Sequence, residues 1–359
     1  NICKRLNYDI NSTTANALFC IGTVADMAPL KGANRKWLKE FLPTFNNTDN
    51  IGIRTILKKL ELDNTQLTTD DIGYKIAPLI NAVGRIDDPQ LIIDLLTISC
   101  EETIINIAAK CFKINKERKR LTLEIETEAM KLATNEYEDN NKFLVLTKRD
   151  WHPGIIGIVA ARIVENFNLP TALLALAKDG IIRGSIRSNN QLRVNLALDE
   201  CKDILLAHGG HSAAAGFSIK EENIPILKKR LNNIAIREMI NCKLTKCINP
   251  DAYINFKDIN LDFYRQLMLI GPFGIMNKAP VFWTRKCRII NHFNLKGNRL
   301  KMKLDDGTES INAVKWNYSS HFKINDLIDI AFNIEINNWK KNSNLQLNIL
   351  DIKKHTNSI

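Results

Sequence analysis

From residue 90 to residue 134 the chain carries neither proline nor glycine, and apolar side chains recur at helical spacing through 103–133. Proline would remove a helix hydrogen bond and glycine would weaken the segment; neither breaker is present. Asp88 followed by Pro89 has the form of an N-cap with proline at the first helical position. The pattern predicts one or two long helices over 90–134, the second a connector between domains. The rest of the chain must fold on either side of it.

On the amino-terminal side, residues 13–43 read as helix, turn, helix, with Asp26 and Pro29 closing the apolar stretch "TTANALFCIGTVADMAPL". A further helix is predicted over 51–61, and "TTDDIGYKIAPLINAVGRIDDP" (68–89) reads as a loop-rich connection. On the other side, residues 143–230 alternate in type. "FLVLT", "TALLAL" and "GIIRGSIRS" read as strands, and "GIIGIVAARIVENFN", "LALDECKDILLAH" and "IPILKKRLNNIAIREMI" as helices. Strand–helix–strand order predicts an α/β domain with a mixed, partly parallel sheet. From about residue 250 short alternating strands follow, separated by Gly, Asn and Asp turns, which predicts a small barrel of the OB-fold type.

The 359 residues leave room for two or three domains, and 45% hydrophobic with 25% charged residues is ordinary for a globular protein. A net charge of +11 and a pI near 9.2 favour an acidic partner, nucleic acid before membrane, although a lysine-rich solvated surface accounts for such a balance too. The eight cysteines form no C-x-x-C pair, so reduced, buried thiols and a cytoplasmic location are expected rather than a zinc site. No apolar run is long enough to span a membrane, and no signal peptide is seen. The chain opens at Asn1 within a periodic segment, which suggests part of a longer polypeptide.

Five short stretches carry possible chemistry. "HGGHSAAAG" (208–216) places His208 and His211 around a glycine pair and suits either a tight turn into a buried alanine-rich helix or an anion site. Asp26 ends an apolar stretch, and its pattern favours a cap for the following helix. Arg85 follows Gly84 in "NAVGR", where a guanidinium reads a phosphate or makes a surface ion pair. His152 in "WHPG" sits between a strand and a helix, where open α/β sheets place their ligands. Ser185 and Arg187, two apart on a strand, share one face. Convergence of His152, Ser185, Arg187 and His211 on one crevice would make a pocket of donors suited to phosphate.

Taken together, "GTVADMAPL" (22–30), "NAVGRI" (81–86), "WHPGIIGIVAARI" (151–163), "GSIRS" (184–188) and "GGHSAAAG" (209–216) occur in the order found in RecJ-type single-stranded-DNA exonucleases of the DHH/DHHA1 phosphoesterase superfamily. "INKERK" (114–119) resembles that family's connector helix, and "GPFGIMNKAPVF" (271–282) with "LQLNILDI" (345–352) its OB region. The resemblance implies the carboxy-terminal part of a DHH catalytic domain over 1–88, a connector helix over 89–137, a DHHA1 domain over 138–247 and an OB-fold over 248–359. It implies 5′-to-3′ exonuclease activity on single-stranded DNA in repair and recombination. It also implies Mn²⁺ or Mg²⁺ as cofactor, held as two ions about 3.5–4 Å apart. By resemblance Asp26 is a metal ligand, and Asp26 and His152 are the candidate catalytic residues. Arg85, Ser185, Arg187, Gly209, Gly210 and His211 are the candidate DNA-phosphate contacts.

Lys301 and Lys303, alternating with apolar residues, and Trp339, Lys340 and Lys341 are candidate DNA contacts on the barrel. Trp316 suits either stacking or a place in the barrel core. Single-strand-binding protein and a helicase are implied partners. The chain departs from the family pattern in lacking an Asp-His-His sequence, and Leu79 stands where many relatives have arginine. A chain that binds DNA without cleaving it is therefore expected. The alternatives are a non-catalytic DNA-binding subunit and a phosphodiesterase acting on oligonucleotides or cyclic dinucleotides.

Overall fold

The computed structural model describes residues 12–137, 141–177, 179–189, 192–239, 248–295, 299–316, 318, 322–337 and 344–355. The described residues of Asn1–Thr48, Asn64–Gly73 and Lys246–Ile359 form one compact unit, and those of Asp49–Asp63 and Tyr74–Thr245 a second.

The first unit begins with α1 (Thr13–Ala25), capped by Ser12, whose hydroxyl accepts from the Ala15 N–H at 3.1 Å. It ends in a Schellman turn. The Ala28 N–H donates to Thr23 O at 3.0 Å and the Met27 N–H to Val24 O at 3.1 Å, with Met27 left-handed at φ 52°. Asp26 is thus the exposed C-cap of α1, while Lys31 precedes α2 (Gly32–Phe41). The expectation that Asp26 caps the next helix is corrected, because the left-handed turn and Pro29 separate it from α2.

In the second unit α3 (Ile51–Lys59) is capped by Asn50. Residues 68–89, expected as loop, begin in the first unit, continue into the second from Tyr74, and are helical through most of their length. They comprise one turn over Thr69–Asp71, a π-helical turn over Ile72–Ile76 and α4 (Ala77–Ile86). Two features offset the apparent breakers. Thr68 and Asp71 form a capping box, and Pro78 falls in the first turn of α4, where no amide donor is needed. Arg85 therefore stands on the last turn of a helix, not in a glycine loop. The long helical region resolves into α5 (Gln90–Thr97) and α6 (Glu101–Glu136). Asp88 supports α5 by accepting from the Gln90 N–H at 2.9 Å, one residue out of the expected register.

The sheet of this unit comprises β1 (Leu144–Thr147), β2 (Thr171–Leu176), β3 (Ile182–Arg187), β4 (Leu205–His211) and β5 (Ala214–Ile219), in the order β1-β2-β3-β5-β4. Only β1 and β2 pair in parallel, joined through α7 (Pro153–Phe167); the other pairs are antiparallel. One face buries Leu144, Leu146 and Leu173 with Ala129 of α6 and Ile155 and Val159 of α7. The other buries Leu174, Ile186 and Phe217 under α8 (Val194–Asp199) and α9 (Ile224–Met239).

The helix expected to run to His208 stops at Asp199, and residues 205–211 are strand β4. Nor do the alanines that follow start a helix, since Ala214–Ile219 is β5. Pairing with β5 overrides the local pattern. The glycine pair lies within β4, where Gly210 takes φ 146° and an added Cβ would lie 2.5 Å from Ala214 O and Ala215 Cα.

The remaining elements of the first unit are β6 (Ala252–Tyr253), α10 (Leu261–Leu269), β7 (Phe282–Leu295), β8 (Arg299–Asp305), β9 (Ser310–Lys315), β10 (Leu327–Asn337) and β11 (Asn344–Lys354). The strands follow the order β10-β11-β9-β8-β7, and β10 pairs back to β7, closing a five-stranded barrel of OB type. Along β8, Leu300, Met302 and Leu304 fill the interior while Arg299, Lys301 and Lys303 point outward.

Candidate functional site

The amino end of α7 is fixed from below. Trp151 is buried and its indole N–H donates to Glu128 Oε2 at 2.8 Å, while Lys148 reaches Glu128 Oε1 at 2.7 Å. These two bonds hold the Glu128 carboxyl below its ordinary pKa. His152 then caps α7, its Nδ1 accepting the Gly154 N–H at 3.1 Å. That bond occupies Nδ1 and leaves Nε2 to carry the proton of the neutral ring. His152 thus has a structural task beside any role in the cleft.

Two glycines on α7 admit the neighbouring groups. A Cβ on Gly154 would lie 2.0 Å from Arg85 O, so the first turn of α7 sits directly on the end of α4. One turn on, a Cβ on Gly157 would lie 2.8 Å from Ser185 Oγ and 3.0 Å from Arg187 Nη2. Ser185 and Arg187 project from one face of β3 into this space. Arg187 Nη1 donates to Ile186 O at 2.8 Å and lies 3.3 Å from Ser185 Oγ.

Burial and then the charge of Arg85 push the Arg187 pKa down, and burial, Arg85 and Arg162 do the same to Arg118. The Arg85 guanidinium thus stands near enough to Arg187 and to Arg118 to repel each of them. Arg162 is neutralised by Glu126. Arg118 is held by Asn115 Oδ1, at 3.2 Å from Nε and 3.0 Å from Nη2. Among the described residues no carboxylate pairs with Arg85, Arg118 or Arg187. Like charges gathered without counter-charge make a site that an anion completes.

The 208–216 segment lies on the same sheet. Arg187, Ala214 and His211 occupy one row across β3, β5 and β4, and Ser185, Gly216 and Gly209 the next row on the same face. Gly209, Gly216 and His211 are exposed, and a Cβ on Gly209 would meet nothing within 4 Å. The result is a bare shelf, with His211 two strands, about 10 Å, from Arg187. His208, three residues back, faces the opposite side, where Nε2 lies 2.9 Å from Asp199 Oδ1. Gly210 serves the hairpin backbone.

Two residues escaped the sequence reading. Arg118 falls in the buried stripe of α6 that runs through Cys111, Ile114, Thr122 and Ile125; a guanidinium in such a stripe is the signal that was available. Gly157 was legible only as part of "HPGIIG".

Asp26 belongs to the other unit and is exposed at the end of α1. Among the described residues no three His, Cys, Asp or Glu side chains gather around a point where an ion would sit. The barrel carries Lys301 and Lys303 exposed on its outer face. Lys301 stands opposite Phe293, which is exposed, and the Arg299 guanidinium lies 4.6 Å from the ring centre of Trp316. Trp316 is 49% exposed, so its place in the barrel core is corrected to the surface. Trp339, Lys340 and Lys341 lie outside the described residues. Of the described cysteines, Cys20, Cys111, Cys201 and Cys287 are buried free thiols and Cys100 is exposed. No helix among the described residues is long and apolar enough to cross a membrane.

The described residues thus carry a mixed sheet with a group of arginines and, later in the chain, a five-stranded barrel of OB type. The DHHA1 domain model matches residues 140–236 and the RecJ OB domain model residues 250–351. The single-stranded-DNA-specific exonuclease RecJ of Bacillus subtilis is 28% identical over 340 residues, covering 93% of this chain and 43% of that protein. Its counterpart from Haemophilus influenzae is 27% identical over 352 residues, covering 94% and 61%. The crystal structure of RecJ in complex with Mg²⁺ from Thermus thermophilus superposes with a TM-score of 0.85 at 24% identity, covering 99% of this chain and 54% of that one. A second structure, exonuclease RecJ bound to manganese, gives a TM-score of 0.57 at 28% identity, covering 67% and 60%. The chain thus carries a DHHA1 domain and a RecJ OB domain, and is similar over most of its length to RecJ-type single-stranded-DNA-specific exonucleases. It spans 43% and 61% of the length of these two curated relatives.

Proposed function

We propose that this chain is the DNA-holding part of a single-stranded-DNA-specific exonuclease that works from the 5′ end in repair and recombination. Arg85, Arg118, Arg187 and Ser185 would grip the terminal or scissile phosphate, with His152 at the helix end beside them. Gly209 and His211 would offer the shelf on which the end nucleotide lies. The observation that carries this reading is the group of three guanidiniums without a carboxylate, beside a sheet face stripped of large side chains. Held phosphate oxygens and excluded water are what positioning contributes to phosphodiester hydrolysis. The OB barrel, with Lys301, Lys303 and Trp316 outward, supports a strand-binding role and disfavours a substrate as small as a cyclic dinucleotide.

Relatives of this chain were crystallised with Mg²⁺ and with manganese, and divalent metal is proposed for the whole enzyme, with Asp26 as one ligand. The described residues do not fit such a site by themselves, because one exposed carboxylate cannot hold two ions. No catalytic step is therefore assigned to this chain. Single-strand-binding protein and a helicase as partners, and a cytoplasmic location, belong to the same proposal.

Anisotropy titration of this polypeptide with 5′-phosphorylated and 5′-hydroxyl oligothymidylate tests the reading. Tighter binding of the phosphorylated strand, lost in Arg187→Ala, is expected, with no cleavage on adding Mn²⁺. Equal binding of the two strands would remove the end-phosphate role, and Mn²⁺-dependent shortening of the strand would overturn the binding-only assignment.

A further inference from the structure

A second basic surface adjoins the arginine cluster. A cavity of about 690 Å³ lies against α6, floored by Leu60, Pro78 and Phe112 and rimmed by Lys113, Lys116 and Lys119, with no acidic residue in its lining. The three lysines recur at intervals of three on α6 and are exposed, which sets them along one side of the helix. Among the described residues none of them has a carboxylate partner, and the nearby Glu117 is engaged by Arg120. Tyr74, 80% exposed, also lines the cavity. Arg118 belongs both to this lining and to the arginine cluster, so the two sites are continuous.

An apolar floor, an exposed phenol ring and a row of free ammonium groups match a ligand that alternates flat rings with phosphates. An acidic protein segment would use the lysines and leave the ring and floor idle. We propose that this groove takes the nucleotides that follow the held end of the same single strand. Lys113 and Lys116 pair with its phosphates, and a base stacks on Tyr74. The inference rests on the end-binding reading of the arginine cluster and extends the bound strand along α6.

The test compares three probes on the whole polypeptide: a 5′-phosphorylated dinucleotide, a long 5′-phosphorylated oligothymidylate, and thymidine monophosphate. Glutamate sustains an exposed helix about as well as lysine, so K113E/K116E keeps the fold, which circular dichroism verifies. The double variant is expected to weaken the long strand on the order of tenfold and to leave the dinucleotide unchanged. Loss of two phosphate contacts makes the plot of log affinity against log salt shallower by about 1.4. Tyr74→Ala is expected to weaken the long strand about fivefold or more through lost stacking. Unchanged affinity and salt slope for the long strand in K113E/K116E overturn the groove. Competition by thymidine monophosphate that depends on Lys113 and Lys116 makes the occupant a free nucleotide, and overturns the strand. If Arg187→Ala leaves dinucleotide binding intact while K113E/K116E still weakens the long strand, the end pocket fails and the groove stands.

Discussion

The arginine cluster of the sheet and the outer face of the barrel are both cationic, yet they hold their charge in opposite ways. Arg187 is half-buried, bonded to the backbone of its own strand, and has a glycine opposite to make room for it. Lys301 and Lys303 stand in solvent on β8, with no ion pair among the described residues, beside the exposed rings of Phe293 and Trp316. A fixed guanidinium fork selects an oxygen geometry, whereas a mobile ammonium supplies charge at any nearby position. The difference teaches that charge alone does not define a binding surface: the first suits a phosphate end, the second a strand of any sequence.

The largest effect is expected from Arg187→Ala. A charge-assisted hydrogen bond contributes about 1.5–3 kcal/mol, so affinity for the 5′-phosphorylated strand should fall roughly 10- to 150-fold, to that of the 5′-hydroxyl strand. Gly157→Ala should follow, because its methyl would press on Ser185 and Arg187; end preference should drop about tenfold while overall strand binding persists. Trp316→Ala should weaken all sequences alike by about 1 kcal/mol, roughly fivefold, in the same titration. Lys301→Ala with Lys303→Ala should make the salt slope shallower by about 1.4 and leave the end preference untouched. A change of end preference in that barrel variant would break the comparison.

The smallest effect concerns neither surface. Burial pushes the Cys20 thiol from its ordinary 9.0 up to about 12 and Cys201 up to about 11. A raised folded-state pKa means that the unfolded chain loses these protons first as pH rises. Their stabilising contribution is complete below about pH 9 and is lost between that pH and the folded values. Denaturant midpoints measured across this range should decline less steeply in Cys20→Ala than in the parent chain.

The sequence showed most where one periodicity ran undisturbed. Helix α6 followed from an unbroken apolar stripe, and β8 from the strict alternation of Leu300, Met302 and Leu304 with charged neighbours. It misled where local punctuation and tertiary pairing disagreed. Gly73, Pro78 and Gly84 looked like loop markers, but a capping box and a first-turn proline let the helix form around them. Leu205 and Leu206 continued a helical pattern, but β5 supplied partners that the pattern could not reveal. At the site, Ser185 and Arg187 were legible as strand neighbours, and Arg85 as a charge near glycine. The repulsion of Arg85 with both Arg187 and Arg118 was not, because it arises only when α4, α6 and β3 meet.

The alternation within β4 has an evolutionary corollary. His208 and His211 are separated by three positions, so one ring turns toward Asp199 and the other toward the open shelf. Inserting or deleting a single residue between them would send both imidazoles to one side and misplace everything downstream in the hairpin. Drift in this segment is therefore free to change its small residues except Gly210, where the positive φ and the close backbone of Ala214 and Ala215 exclude a side chain. It is not free to change their number, and a gap in an alignment here would mark a protein that has given up the shelf.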